Sequence, residues 1–213
     1  MNNEILTIAL AKGRLGKEAY KLLNKTNLAN NVDLKSRKLI FNDELNRIRY
    51  FYVKPTDVVT YVLQGVADLG IVGKDNILEE AGDLYELLDL EMGACKFSIA
   101  GKKGQRVYRD EALKVATKYP NIAKNYFKEK QQKIEVIKLN GSVELAPLVG
   151  LSDVIVDIVE TGNTLRANGL EVLEDMYSIS AKLIANRTSY RFKKQEIELV
   201  MKLIAIGKGE SCD

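Results

Sequence analysis

Histidine is absent from the 213-residue chain. Without it there is no Ser-His-Asp or Cys-His nucleophile pair and no histidine-ligated metal site. The usual general base at neutral pH is missing too. Chemistry here must run on carboxylates, lysine, arginine, hydroxyls, backbone amides or a loosely held metal. Cysteine is scarce: Cys95 and Cys212 cannot build a disulfide framework, and a reducing cytoplasm is the expected home. No apolar run approaches membrane-spanning length, and the Met1-Asn2-Asn3-Glu4 start lacks the basic and apolar stretches of a signal peptide. Charge of one sign is lacking as well. The 32 lysines and arginines against 29 acids leave a net +3, too little to argue for nucleic acid or a membrane as the main partner.

What is present is an alternation of strand and helix signals. Leu6 to Leu10 is a short apolar run ending in Ala11-Lys12-Gly13-Arg14, with a helical pattern from Leu15 to about Leu23. Lys38 to Phe41 and Arg47 to Val53 read as a hairpin around Asn42-Asp43-Glu44. Pro55-Thr56-Asp57 starts a helix that Gly65 stops, and a strand from Leu69 to Val72 leads through Gly73 into a helix from Lys74 to Glu80. Past Leu88 the alternation restarts. Strands are expected over Phe97 to Ala100, Val115 to Thr117, Ile134 to Leu139 and Val154 to Ile158. Helices are expected over Ile122 to Lys130 and over Ser142 to Leu148, the latter with Ser142 as N-cap. The stretch from Lys193 to Ile206 is an amphipathic helix. Such a pattern predicts α/β layers in two lobes, residues 1–90 plus 175–213 and residues 91–174. No flexible linker separates them, and the cleft between lobes is the default ligand site.

The densest constellation runs from Asp153 to Arg166. Val154 to Val156 is apolar at consecutive positions, as in a strand buried on both faces. Asp157 breaks that run at the carboxyl end, where open α/β sheets place their ligands. Thr161, Gly162, Asn163 and Thr164 follow before a helix begins at Leu165. Backbone amides at a turn into a helix bind anions, hydroxyls add donors, and glycine admits close approach. A carboxylate just ahead of such a loop suits a sugar diol, so the stretch describes a ribose phosphate site. A strand ending in an ordinary polar turn would use the same residues. Walker A and dinucleotide fingerprints do not fit, because the glycine and lysine spacing of each is missing.

Glu144, Gly150, Ser152, Ile155, Asp157, Thr161-Gly162 and Thr164-Leu165 fall at the spacing of the ATP phosphoribosyltransferase signature. Ala11 to Arg14, Ala67 to Asp75 and the segment after Asn168 extend the resemblance over most of the chain. The length resembles the short form, which lacks a C-terminal regulatory domain. This resemblance implies two lobes of mixed or parallel sheet flanked by helices, similar to periplasmic binding proteins, with the active site in the cleft. It implies transfer of the phosphoribosyl group from phosphoribosyl pyrophosphate to N1 of ATP's adenine, as the first step of histidine biosynthesis. Mg2+ is implied as substrate-bound metal rather than a protein site. A regulatory subunit related to histidyl-tRNA synthetase is implied as partner, with homodimers inside a hetero-oligomer. The chemistry agrees with the missing histidine: adenine N1 is unprotonated at pH 7, and the barrier lies in expelling pyrophosphate.

On this reading Asp157 and Glu160 orient the ribose hydroxyls, and Thr161, Gly162, Asn163 and Thr164 hold the 5′-phosphate. Lys12, Arg14 and Arg37 face the pyrophosphate and the ATP phosphates, where arginine's fork grips oxygens in pairs. Gly73 and Asp75 touch the nucleotide, although Asp75 also suits a helix cap. Lys54 is a lesser candidate. The Gly101-Lys102-Lys103-Gly104 turn reads as a lysine-rich surface, and Cys95 as a packed residue. Two rivals share parts of the pattern. A two-lobed binding module would explain Asp68-Leu69-Gly70-Ile71 but not the loop. A purine-salvage or orotate enzyme would carry two adjacent acids, whereas here Ile158 and Val159 separate Asp157 from Glu160.

Overall fold

A computed structural model describes residues 5–30 and 36–209; the start of the chain and Cys212 lie outside the described residues. In chain order the elements are β1 (Leu6–Ala11), α1 (Arg14–Lys25), β2 (Ile40–Asp43), β3 (Ile48–Val53), α2 (Pro55–Leu63), β4 (Leu69–Gly73), α3 (Lys74–Glu80) and β5 (Tyr85–Asp89). Then come β6 (Cys95–Lys102), β7 (Leu113–Thr117), α4 (Pro120–Glu129), β8 (Ile134–Lys138), α5 (Leu145–Leu148), β9 (Val154–Val159), α6 (Asn163–Ala167) and β10 (Leu170–Ile179). The chain closes with β11 (Ala181–Ala185), α7 (Arg187–Phe192) and α8 (Lys194–Lys208). Two compact units result, one of residues 1–93 with 180–213, the other of residues 94–179. The second crossing falls five residues beyond the sequence reading, because β10 stays paired with β6 through Ile179.

The first unit holds a six-stranded sheet ordered β2-β3-β1-β4-β11-β5. β1 lies parallel to β3 and β4, while β2, β11 and β5 join antiparallel. Alternation along β1 sorts its side chains onto two faces. Leu6, Ile8 and Leu10 belong to a core with Leu23 of α1 and Ile197, Val200 and Ile204 of α8. Ala9 and Ala11 point into a second core with Val58, Val59 and Val62 of α2. Gly70 is required here: a Cβ would stand 2.9 Å from both Val58 and Val62, so α2 can lie close on β4 only over glycine.

The second unit holds a five-stranded sheet ordered β10-β6-β9-β7-β8. β9 runs parallel to β7 and antiparallel to β6. Ile155 packs with Ala100, Ala116, Leu165 and Leu170 on one face. Phe97 and Tyr119 meet edge to face at 4.9 Å, and both are buried. Two expectations need correction, and three strands were not foreseen. The predicted Ser142–Leu148 helix shrinks to α5, since Ser142 takes a left-handed φ of 48°. Pro147 gives the reason: it has no N–H to reach a carbonyl four residues back, so it fits only the first turn. The helix after the loop begins at Asn163 rather than Leu165. Strands β5, β10 and β11 carry no clear alternation and were not expected.

Candidate active site

β9 lies at the centre of its sheet, and Val154, Ile155 and Val156 are wholly buried. Asp157, Ile158 and Val159 are half-buried as the strand leaves the core, and Glu160 and Thr161 are exposed. A cavity of about 220 Å3 opens here, lined by Glu144 and by every residue from Asp157 to Leu165. The structure thus brings Asp157, Glu160, Thr161, Gly162, Asn163 and Thr164 to one place. Glu144 adds a third carboxylate, supplied from the turn ahead of α5. Sequence reasoning counted Glu144 in the signature without giving it a place in the cavity; its position thirteen residues before Asp157 was the only signal.

Gly162 is the N-cap of α6 at φ 69° and ψ 7°, a left-handed conformation that glycine adopts without strain. Gly162 offers no side-chain cap, and Thr161 Oγ1 accepts from the Asn163 amide at 3.4 Å, a long contact at the head of the helix. α6 has five residues, too few for a strong macrodipole, and anion affinity must come from local amides and hydroxyls. One residue was missed. Arg166 turns back onto the loop, its Nη2 donating to the Thr161 carbonyl at 3.0 Å and to Asn163 Oδ1 at 2.6 Å. Its only sequence signal is a position one helical turn after Gly162.

In the first unit the parallel strands β1, β3 and β4 end side by side. Ala11 is in register with Val53, and Leu10 with Ile71. Each strand runs straight into a helix, so Lys12, Gly13, Arg14, Lys54, Gly73 and Asp75 share the carboxyl edge of that sheet. The three helix starts differ. α1 has no acid in its first turn and no side-chain cap at Gly13, whereas α2 carries Asp57 and α3 carries Asp75. The α1 start is therefore the best anion site of the three, with Lys12 and Arg14 exposed beside it. Lys12 donates its amide to the Val53 carbonyl at 2.6 Å and sets its ammonium 5.8 Å from the Tyr52 ring centre. Asp75 is not the cap of α3, a position Gly73 fills. Its carboxylate accepts from Asn76 at 2.9 Å and folds over Gly73. Arg37 is exposed in the bend ahead of β2. The Tyr52 amide donates to Leu39 at 2.9 Å, so the chain there runs toward the end of β3.

Lys102 and Lys103 stand exposed, but the expected turn starts only at Lys103, since Gly101 and Lys102 close β6 opposite Glu171 and Leu170; Cys95 is half-buried as the first residue of that strand. Among the described residues no three histidine, cysteine, aspartate or glutamate side chains gather in a way that would hold a metal ion. No described helix is long and apolar enough to cross a membrane.

The sequence profile of the ATP phosphoribosyltransferase (HisG) family matches residues 54–205. An ATP phosphoribosyltransferase of Clostridioides difficile is 66% identical over 201 residues, covering 94% of this chain and 97% of the relative. One from Oceanobacillus iheyensis is 54% identical over 197 residues, covering 92% and 95%. Among solved structures, the Thermotoga maritima ATP phosphoribosyl transferase (HisG:HisZ) complex contains a chain with a TM-score of 0.86 and 35% identity, covering 96% of this chain and 99% of that one. The Escherichia coli periplasmic aliphatic sulphonate binding protein SsuA shares the fold alone, with a TM-score of 0.59, 16% identity and coverage of 97% and 73%. That likeness explains why the alternation of elements also suited a binding module, a reading the relatives do not favour. The chain belongs to the ATP phosphoribosyltransferase family, the enzymes that open histidine biosynthesis by joining N1 of ATP's adenine to the ribose of phosphoribosyl pyrophosphate.

Proposed function

We propose that the β9–α6 loop binds phosphoribosyl pyrophosphate, with Asp157 and Glu160 orienting the ribose hydroxyls and Thr161, Gly162, Asn163 and Thr164 holding the 5′-phosphate. The observation that carries this assignment is the cavity in which Glu144, Asp157 and Glu160 and the Thr161–Thr164 loop line the same 220 Å3. Ribose hydroxyls donate to carboxylates, and phosphate accepts from amides and hydroxyls, so the two kinds of group match the two ends of one ligand. In the first unit, Lys12, Arg14 and the α1 start carry the charge of pyrophosphate and ATP phosphates, with Arg37 in a lesser role. Gly73 and Asp75 meet the nucleoside. No proton need be removed from adenine N1, so catalysis consists of placing two anions together and neutralising the departing pyrophosphate.

A divalent cation accompanies the phosphates in this family. We infer that it is Mg2+, entering as part of the substrate and lowering the charge of the leaving group. The Thermotoga maritima relative is solved as a HisG:HisZ complex, and this chain matches 99% of the compared chain. A comparable hetero-oligomer is inferred, with homodimers of this chain and a regulatory subunit related to histidyl-tRNA synthetase. The compartment inferred is the cytoplasm.

The test mixes the purified chain with Mg2+, ATP, phosphoribosyl pyrophosphate and a pyrophosphatase, and follows the ultraviolet change on adenine N1 substitution. Product is expected with the regulatory subunit present. Its absence both with and without that subunit, together with tight binding of a small ligand, would return the chain to the binding-module reading.

A further inference from the structure

Arg166 spends both hydrogens of one guanidinium nitrogen on the loop. Nη2 donates to the Thr161 carbonyl at 3.0 Å and to Asn163 Oδ1 at 2.6 Å. The backbone closes the same turn, the Arg166 amide donating to the Gly162 carbonyl at 3.0 Å. Arg166 is not among the residues lining the 220 Å3 cavity. It lines a different concavity, of about 560 Å3, which shares Val159 to Gly162 with the first and adds Lys96, Ser98 and Asp175. Arg166 therefore works on the loop from outside the cavity.

A carboxamide has one acceptor and two donors on opposite sides of its plane, and the network around it decides which side faces a ligand. With Oδ1 of Asn163 engaged by a cation, the Nδ2 hydrogens are the groups left for the cavity that Asn163 lines. A fully ionised phosphate only accepts, so this orientation is the one it can use. We infer that Arg166 is a positioning residue of the phosphoribosyl pyrophosphate loop. It fixes the Thr161–Asn163 turn and orients the Asn163 carboxamide so that its donors meet the 5′-phosphate. The inference rests on the assignment of this loop to phosphoribosyl pyrophosphate.

Initial rates of the chain with its regulatory subunit, at saturating ATP and Mg2+ and varied phosphoribosyl pyrophosphate, test it. Arg166→Met is expected to raise KM for phosphoribosyl pyrophosphate about 3- to 10-fold, the size of one or two exposed charged hydrogen bonds, with kcat changed less than about twofold. KM for ATP should stay put, and Arg166→Lys should recover most of the loss. Asn163→Asp keeps the shape and the contact with Arg166 but replaces the donors by an anion, so its KM should rise more than that of Arg166→Met. A wild-type KM in either Arg166→Met or Asn163→Asp would overturn the inference. Should Arg166→Met melt early, Asn163→Asp still decides the matter, because it preserves the partner of Arg166. Thr164→Ala separates this idea from the one beneath it. If Thr164→Ala raises the same KM while both other variants do not, only the role of Arg166 fails. If none of the three moves it, the loop assignment itself is wrong.

Discussion

On the proposed assignment, two strand-to-helix crossings, β1 into α1 and β9 into α6, would bind anions by opposite means. Both place a glycine with positive φ, which has no side chain to cap with, at the helix start, Gly13 at 102° and Gly162 at 69°. After Gly13 comes a helix of twelve residues with Lys12 and Arg14 at its head, so charge and an extended dipole do the work. After Gly162 comes a helix of five, flanked by carboxylates, and binding would fall to individual donors of a loop to which Arg166 is hydrogen-bonded at Thr161 and Asn163. The first arrangement is diffuse and suits the moving charge of a departing pyrophosphate. The second is directional and suits a sugar phosphate that must not move.

Asp157→Asn should break the directional side most severely. It removes a charged acceptor for ribose hydroxyls without changing shape, and about a 100- to 1,000-fold loss in kcat/KM for phosphoribosyl pyrophosphate is expected. The melting temperature should stay within a few degrees of wild type, because Asp157 is half-buried, in the part of β9 beyond its pairing with β7, rather than in the core. Wild-type turnover would end the assignment. Arg14→Ala probes the diffuse side and should lower kcat about 10- to 100-fold, with smaller changes in either KM, if its charge acts on the leaving group. An equal rise in KM at constant kcat would make Arg14 a binding residue only.

Gly16→Ala tests whether the α1 start depends on close packing against β1. A Cβ at Gly16 would overlap the Ala11 carbonyl, which is backbone and cannot rotate away. A loss of about 1–3 kcal/mol in chemical denaturation is expected, with reduced kcat as Lys12 and Arg14 shift. Stability equal to wild type would show that α1 can slide, and that the geometry at its head is less strict than the comparison requires.

How far these crossings were legible depends on where their information resides. Val154 to Val156 followed by Asp157 announces a buried strand delivering an acid, because a carboxylate can follow a fully buried run only where burial relaxes, here past the last pairing with β7 at Val156. Lys12-Gly13-Arg14 after an apolar run is legible for the same reason. β10 was not, since register shifts between Val172 and Glu174 and between Asp175 and Tyr177 break its period of two. β11 is a five-residue strand inserted between β4 and β5, and nothing local says that it belongs with strands a hundred residues earlier. Pro147 was a readable signal against a helix starting at Ser142 and was passed over. Arg166 could not be assigned from sequence, because its role depends on a side chain folding back over its own loop.

A fourth experiment sets an acid held wholly by protein groups against Asp157. Asp89 accepts from Lys182 Nζ at 2.5 Å, Ser180 Oγ at 2.6 Å and the Glu91 amide at 2.9 Å, where the chain leaves and re-enters the first unit. Burial pushes its carboxyl up, but the hydrogen bonds from Lys182, Ser180 and Glu91 outweigh that and hold it at about 2, against an ordinary 3.8. A depressed value means that the stabilisation is complete above the ordinary value and is lost as pH falls through about 2. The side chain is 47% exposed, so solvent screening keeps the contribution small. Asp89→Asn should cost less than about 1 kcal/mol at pH 6, and the gap from wild type should close as the pH approaches about 2. KM for phosphoribosyl pyrophosphate should be unchanged, in contrast to Asp157→Asn. Urea denaturation at pH 6 and at pH 2.5 checks the first point. A gap of the same size at both values would mean that Asp89 stabilises by shape rather than charge, and the contrast between Asp89 and Asp157 would lose its electrostatic basis.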